Sequence, residues 1–295
     1  MTRRRTAAAA ALVLLAAGCG RLADDGGGIG SGGGIGYATG ASDLVLQVTT
    51  SGGFMMPNYA LRTFPTFSLY GDGTAIVVGP QIEIYPPPAL PPLLSQRLTA
   101  SGMQKVLEAA RDAGVFADAT YDDFCGIADV GTTTIVANVD GVRHETSAYA
   151  LGFDGCTDDP EARAALSAFV NSLPTFSGLD AEVDVVGSMG PYAFSSLALI
   201  VGPAQLMADL PQGEVAWPLA TPLAGFGEPY EGLDLRCGVV TGADVEVLLP
   251  MLEQANELTP WTSGGASWSV LPRPLLPDET ACPSLDGGAP AEPMR

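Results

Sequence analysis

Basic residues are scarce along this 295-residue chain, with a single lysine, Lys105, and twelve arginines against 33 acids, giving a formal charge of −20. Nucleic-acid affinity comes largely from basic side chains releasing phosphate counterions, so this composition excludes a polyanion as partner. Histidine occurs once, at His144. Any Ser/His/Asp or Cys/His mechanism must use that ring, and no GxSxG, HExxH or P-loop accompanies it. There is no CxxC, so four-ligand zinc chemistry has no framework. Long apolar runs are missing too. Residues Ala7 to Ala17 reach about half of the roughly 20 residues needed to cross a bilayer, and Leu197 to Val201 stops at Gly202-Pro203.

The chain opens instead with Arg3, Arg4 and Arg5, the apolar run, and the small residues Ala16, Ala17 and Gly18 before Cys19, which reads as a signal peptide over 1–18. The segment Leu15-Ala16-Ala17-Gly18-Cys19 resembles the lipobox of bacterial lipoproteins. That resemblance implies cleavage before Cys19, acylation of its thiol with fatty chains such as palmitate, and display on the outer face of the cell membrane. General secretory and twin-arginine routes both stay open. Removing residues 1–18 takes away three arginines and no acid, so −20 becomes −23. Anionic lipid head groups repel such a body, and the acyl anchor is the one evident membrane contact. Residues 19–42 read as a Gly-rich tether with a random-coil reach of about 25 Å. Residues 286–295 read as a flexible tail.

Four cysteines remain after Cys19: Cys125, Cys156, Cys237 and Cys282. An even number in an oxidising compartment favours two disulfides. Of the three possible pairings, the sequence-local one joins Cys125 with Cys156 and Cys237 with Cys282.

Periodicity predicts two small α+β domains, over 43–178 and 179–285. In the first, strands are expected at 44–50 and at 66–70 with 74–78, the latter pair turning at Gly71-Asp72-Gly73. The proline-rich run 85–92 reads as an extended, rigid connector, the other reading being that Tyr85 and the prolines dock an aromatic groove as PxxP segments do. A helix capped by Thr99 carries Met103, Val106, Leu107 and Ala110 as one apolar stripe. A hairpin at 132–139 and 142–149 follows. Asp159 caps a second helix with Pro160 at its first position and Ala162, Ala165, Leu166, Phe169, Val170 and Leu173 inward. The order is ββαββα, with helices on one face of an antiparallel sheet. In the second domain strands are expected at 193–201, 213–217, 235–240 and 266–271. A helix over 242–257, opened by a Thr241/Asp244 capping box, has a stripe that matches the Thr99 helix in register and so allows a partial duplication.

Asp122, Asp123, Asp129, Asp154 and Asp158 crowd around Cys125 and Cys156, a set of oxygens that would suit calcium although no EF-hand spacing is present. His144 sits beside Glu145 in a strand, where neighbours point to opposite faces, so Glu145 is badly placed to orient it. The strand ending Ser51-Gly52-Gly53-Phe54, the capped helix and the hairpin with Gly141-Val142-Arg143-His144 resemble the start and order of emfourin-type metalloprotease inhibitors over residues 44–173. That resemblance implies protease inhibition. The residues themselves, with no cofactor or phosphate loop, favour a non-catalytic module that binds an envelope protein or cell-wall partner. The other reading is an envelope hydrolase or modifying enzyme working through carboxylates.

Overall fold

The computed structural model describes residues 34–53, 55–122, 126–153 and 159–285. Within them the protein is mixed α+β, with two sheets and few helices. The elements in chain order are β1 (Leu44–Ser51), α1 (Pro57–Ala60), β2 (Phe67–Tyr70), β3 (Thr74–Val78), β4 (Leu93–Leu98), α2 (Ala100–Asp112), β5 (Thr120–Tyr121), β6 (Thr132–Val139), β7 (Val142–Tyr149), α3 (Pro160–Ser172) and β8 (Val185–Pro191). There follow β9 (Ser196–Pro203), β10 (Val215–Ala216), β11 (Glu228–Pro229), β12 (Arg236–Thr241), α4 (Ala243–Leu252), β13 (Pro260–Ser263) and β14 (Ala266–Pro274).

The first sheet has the order β5-β7-β6-β1-β2-β3-β4-β8, and the second β10-β13-β14-β9-β12-β11. Both expected hairpins of the first sheet form. Gly73 turns β2 into β3 at φ 89°, and Asp140 and Gly141 turn β6 into β7 at φ 50° and 75°. Asp and Gly tolerate that left-handed region where most side chains do not.

Alternation along the central strands sends Leu46, Val48, Phe67, Leu69, Ala75, Val77, Ile135 and Ala137 into one core. The same core takes Met103, Val106, Leu107 and Ala110 from α2 and Leu166, Phe169 and Leu173 from around α3. Burying each large apolar side chain of this kind is worth roughly 1.5–3 kcal/mol. Thr99 caps α2 by accepting from the Gly102 amide at 3.2 Å, and Asp159 caps α3 by accepting from the Ala162 amide at 3.3 Å. Gly102 must be glycine, because a Cβ there would lie 2.2 Å from the carbonyl oxygen of Asp184.

The sheet's second face, through Tyr70, Ile76 and Leu93, packs on Leu276 and Tyr192. In the second sheet Leu197, Leu199 and Val201 face α4 and the fully buried Trp261, while Ala198 and Ile200 turn toward Leu61, Leu275 and Cys237. Residues 61–64 and 273–279 therefore lie between the sheets. Arg62 reaches Glu257 and the Ala89 carbonyl. Arg273 lies 4.5 Å over the Phe64 ring. The proline-rich run is fastened to the loop after α4: Ala89 donates to the Ala255 carbonyl and Glu257 to that of Pro87, both at 3.0 Å.

Several expectations need correction. The end of the segment expected as tether is packed instead, with Ile35 and Tyr37 buried in the first core and Gln104 bonding the Ile35 amide and carbonyl at 2.8 and 2.9 Å. The first unit runs past 178, since β8 pairs with β4. That β4 is itself an unforeseen strand, so the first unit carries more strands than ββαββα allows. In α3, Ala165 is exposed and Arg163 takes an inner position, its guanidinium donating to the Tyr121 and Tyr149 carbonyls. The Thr241/Asp244 box does not form. Thr241 still belongs to β12, and Gly242 occupies the N-cap at φ 53° with no side-chain bond. Pro250 lies within α4, which ends at Leu252.

Candidate functional site

Lipidation at Cys19 lies outside the described residues. So do Cys125, Cys156, Asp123, Asp154 and Asp158, and with them the first disulfide and most of the acidic corner. Asp122 and Asp129 are described, and among the described residues no group of three or more His, Cys, Asp or Glu side chains comes together to hold a metal. Cys237 and Cys282 are joined, tying β12 to the segment after β14. No described helix is long and apolar enough to cross a membrane.

His144 is partnered by a residue that sequence spacing does not reveal. Its Nδ1 lies 3.1 Å from Oδ2 of Asp118, whose Oδ1 accepts the Glu145 amide at 2.8 Å, and the ring stacks on Phe116 at 5.2 Å between centroids. Glu145 turns away and pairs with Arg143. The Glu145 amide and then the imidazole hold the Asp118 carboxyl below its usual range. This is the orienting half of a base dyad, and among the described residues no hydroxyl or thiol bonds the ring to complete a triad. The contacts fasten β7 to the turn after α2. Asp118 could do this because an Asp accepts φ 53° there.

A second group of carboxyls lies between the sheets. An open, polar cleft of about 390 Å³ is bordered by Asp72, Thr74, Ser95, Tyr192, Ser195 and Glu279. Its two acids are already engaged by the protein. Asp72 accepts from the Thr74 amide and hydroxyl and faces Arg97 at 3.5 Å, while Glu279 takes two bonds from Arg273 and one from the Leu276 amide. Asp278, between the bordering residues Pro277 and Glu279 in the chain, accepts the Tyr70 hydroxyl at 2.7 Å. Burial pushes the Asp278 carboxyl above its ordinary range, and pushes the Tyr192 phenol up to about 12.

The third feature is apolar. Pairing directions put Leu44, Tyr70, Thr74, Arg97 and Arg143 at one end of the first sheet, and Ser51, Phe67, Val78, Leu93 and Thr132 at the other. Residue 34 and the turns at Asp72 and Asp140 belong to the first end, where Gly36 donates to Asp140 Oδ1 at 2.8 Å. The loop 79–92 leaves from the opposite end. There Ile82, Ile84 and Tyr85 stand in solvent, as do Leu206 and Met207 of the loop after β9, all between 44% and 69% exposed. The Tyr85 hydroxyl meets the Met207 sulfur at 3.7 Å, so the two loops form one patch. Met55, Met56 and Tyr59, also exposed, emerge from the same end of the sheet.

Such a surface can exclude water against a complementary body and cannot by itself do chemistry. No family model matches this chain, and neither does any curated protein or solved structure.

Proposed function

We propose that this chain is a lipid-anchored, extracytoplasmic binding lipoprotein, without catalysis of its own, that docks a protein of the cell envelope through the loops around Tyr85 and Met207. The observation that carries the reading is the patch itself. Five large apolar side chains on two touching loops stand free while comparable side chains fill the cores. Folding alone gives no reason to leave them there. The lipobox-like Leu15–Cys19 supports the anchor, and the bond between Cys237 and Cys282 accords with an oxidising compartment. The described chain starts at residue 34, at the sheet end opposite the patch, so a tether leading to it would leave the loops turned outward.

Capture from envelope extracts on the purified protein tests the docking. One species held by the unaltered chain and released by Ile84→Ser with Leu206→Ser supports the proposal; identical captures from both oppose it. Mass spectrometry of the native protein tests the anchor and should find Cys19 at the N-terminus bearing acyl chains. An unmodified Cys19 with its leader attached would remove it.

The first sheet with α2 and α3 can be read as an elaborated ββαββα kernel, a reading supported by the single core that both helices share. A partial duplication in the second unit has less support, since the second sheet has its own strand order. Protease inhibition remains the sharper form of binding that the emfourin-like segments suggest, and inhibition of an envelope metalloprotease by the purified chain is its test. The alternative reading, an envelope hydrolase, is favoured by the raised carboxyl of Asp278, next in the chain to Glu279 of the cleft. It requires a hydrolytic activity abolished by Asp278→Asn.

A further inference from the structure

Resting on the docking reading, we infer that the patch of Ile82, Ile84, Tyr85, Leu206 and Met207 takes a protein partner whose apolar pocket is rimmed by lysine or arginine. The charge around the loops decides this. No basic residue occurs between Arg62 and Arg97, or between Arg163 and Arg236, so both patch loops lie inside stretches free of positive charge. The loops carry exposed acids instead, Glu83 between the two isoleucines and Asp209 two residues beyond Met207. Arg62, which binds the same proline-rich strap, is 9% exposed and paired with Glu257, so it offers the patch no compensating charge.

Three occupants could cover such a surface, and their charges separate them. A second copy would bring Glu83 and Asp209 against Glu83 and Asp209, because a twofold interface sets the same residues on both sides. The outer leaflet's anionic head groups would repel the acids before the apolar side chains could insert. A partner with a basic rim turns both carboxylates into complementary contacts while its pocket receives Tyr85 and Leu206, the arrangement of apolar centre and polar rim that specific interfaces use.

The test uses the purified protein and short labelled peptides read by fluorescence anisotropy: an amphipathic Leu/Lys helix, its Leu/Glu counterpart and a Gly/Ser/Lys chain of equal charge. The Leu/Lys peptide should bind and should lose at least about tenfold in affinity to Ile84→Ser with Leu206→Ser, as loss of buried anchors does. Glu83→Gln with Asp209→Asn should weaken it severalfold and flatten its salt dependence. Equal binding of the Leu/Glu peptide at the patch would overturn the basic rim and leave the docking reading standing. If no peptide responds to the patch substitutions, or the Gly/Ser/Lys chain binds as well, both fall. Patch-dependent adsorption to phosphatidylglycerol vesicles, or patch-dependent dimerisation in light scattering, would overturn the inference in favour of a membrane or a second copy. All four positions are exposed, and unchanged thermal midpoints verify that the variants fold.

Discussion

Arg273 and Glu279 face each other as a two-pronged pair between the sheets, Nη1 to Oε2 at 2.6 Å and Nη2 to Oε1 at 2.8 Å. Both side chains are largely buried. The pair closes the last stretch of chain over Phe64 and Thr63, so it holds the second sheet to a loop of the first. A buried pair of this sort adds little over a well-packed apolar pair, yet removing one member strands the other without solvent.

Glu279→Ala should therefore cost about 3–5 kcal/mol, because the Arg273 guanidinium would keep its burial and lose its carboxylate. Urea unfolding measures this. Arg273→Met with Glu279→Leu should recover most of the loss, whereas a loss below about 1 kcal/mol for Glu279→Ala would show that the pair does not bind the sheets together.

Acid should act on two carboxyls in opposite senses. Bonds from Lys105, then from the Asp180 amide and Ser101, hold the buried Asp184 down at about 2, below its unfolded value near 4. Its contribution is present above pH 4 and is lost as pH falls toward 2. Asp278 is shifted upward by burial, so its contribution is greatest at low pH and fades as pH rises through its folded value. Asp184→Asn should lower stability at pH 7 and flatten its decline between pH 4 and 2. Asp278→Asn should leave stability at pH 7 unchanged or raised. Thermal melts across pH 2–8 check both signs.

Opening the bond between Cys237 and Cys282, which are 45 residues apart, should lower stability by about 4 kcal/mol on chain-entropy grounds. Both serine substitutions together, compared with the reduced and oxidised parent in urea, measure it. A change under about 1 kcal/mol would mean that non-covalent contacts, among them those of Arg273, Tyr70, Tyr192 and Tyr230, hold the segment after β14 without the disulfide.

Two threonines that look alike in sequence separate what was legible from what was not. Thr99 and Thr241 each precede an apolar stripe at helical spacing, but only Thr99 takes the N-cap. The strand before α4 runs through Thr241, paired with Ser196, and Gly242 makes the turn in its place. Thr99→Ala should cost about 1 kcal/mol, and Thr241→Ala should show no capping loss. Hairpins and stripes were readable because their period is local. β4 was not: Leu93-Leu94-Ser95-Gln96-Arg97-Leu98 lacks alternation, and its buried Gln96 is satisfied by the Val186 carbonyl of a strand 90 residues away. Asp118 escaped for the same reason, since only the folded turn after α2 brings it to His144. Exposure of the patch depends on how two loops 122 residues apart meet, which no window of sequence contains.

A photo-crosslinking residue placed at Leu206 in the native host, beside a control at the exposed Glu145 in the middle of β7, tests the docking claim most directly. One discrete protein adduct is expected from Leu206, lost with Ile84→Ser, and none from Glu145. No adduct at Leu206, or the same adducts from both positions, would contradict it.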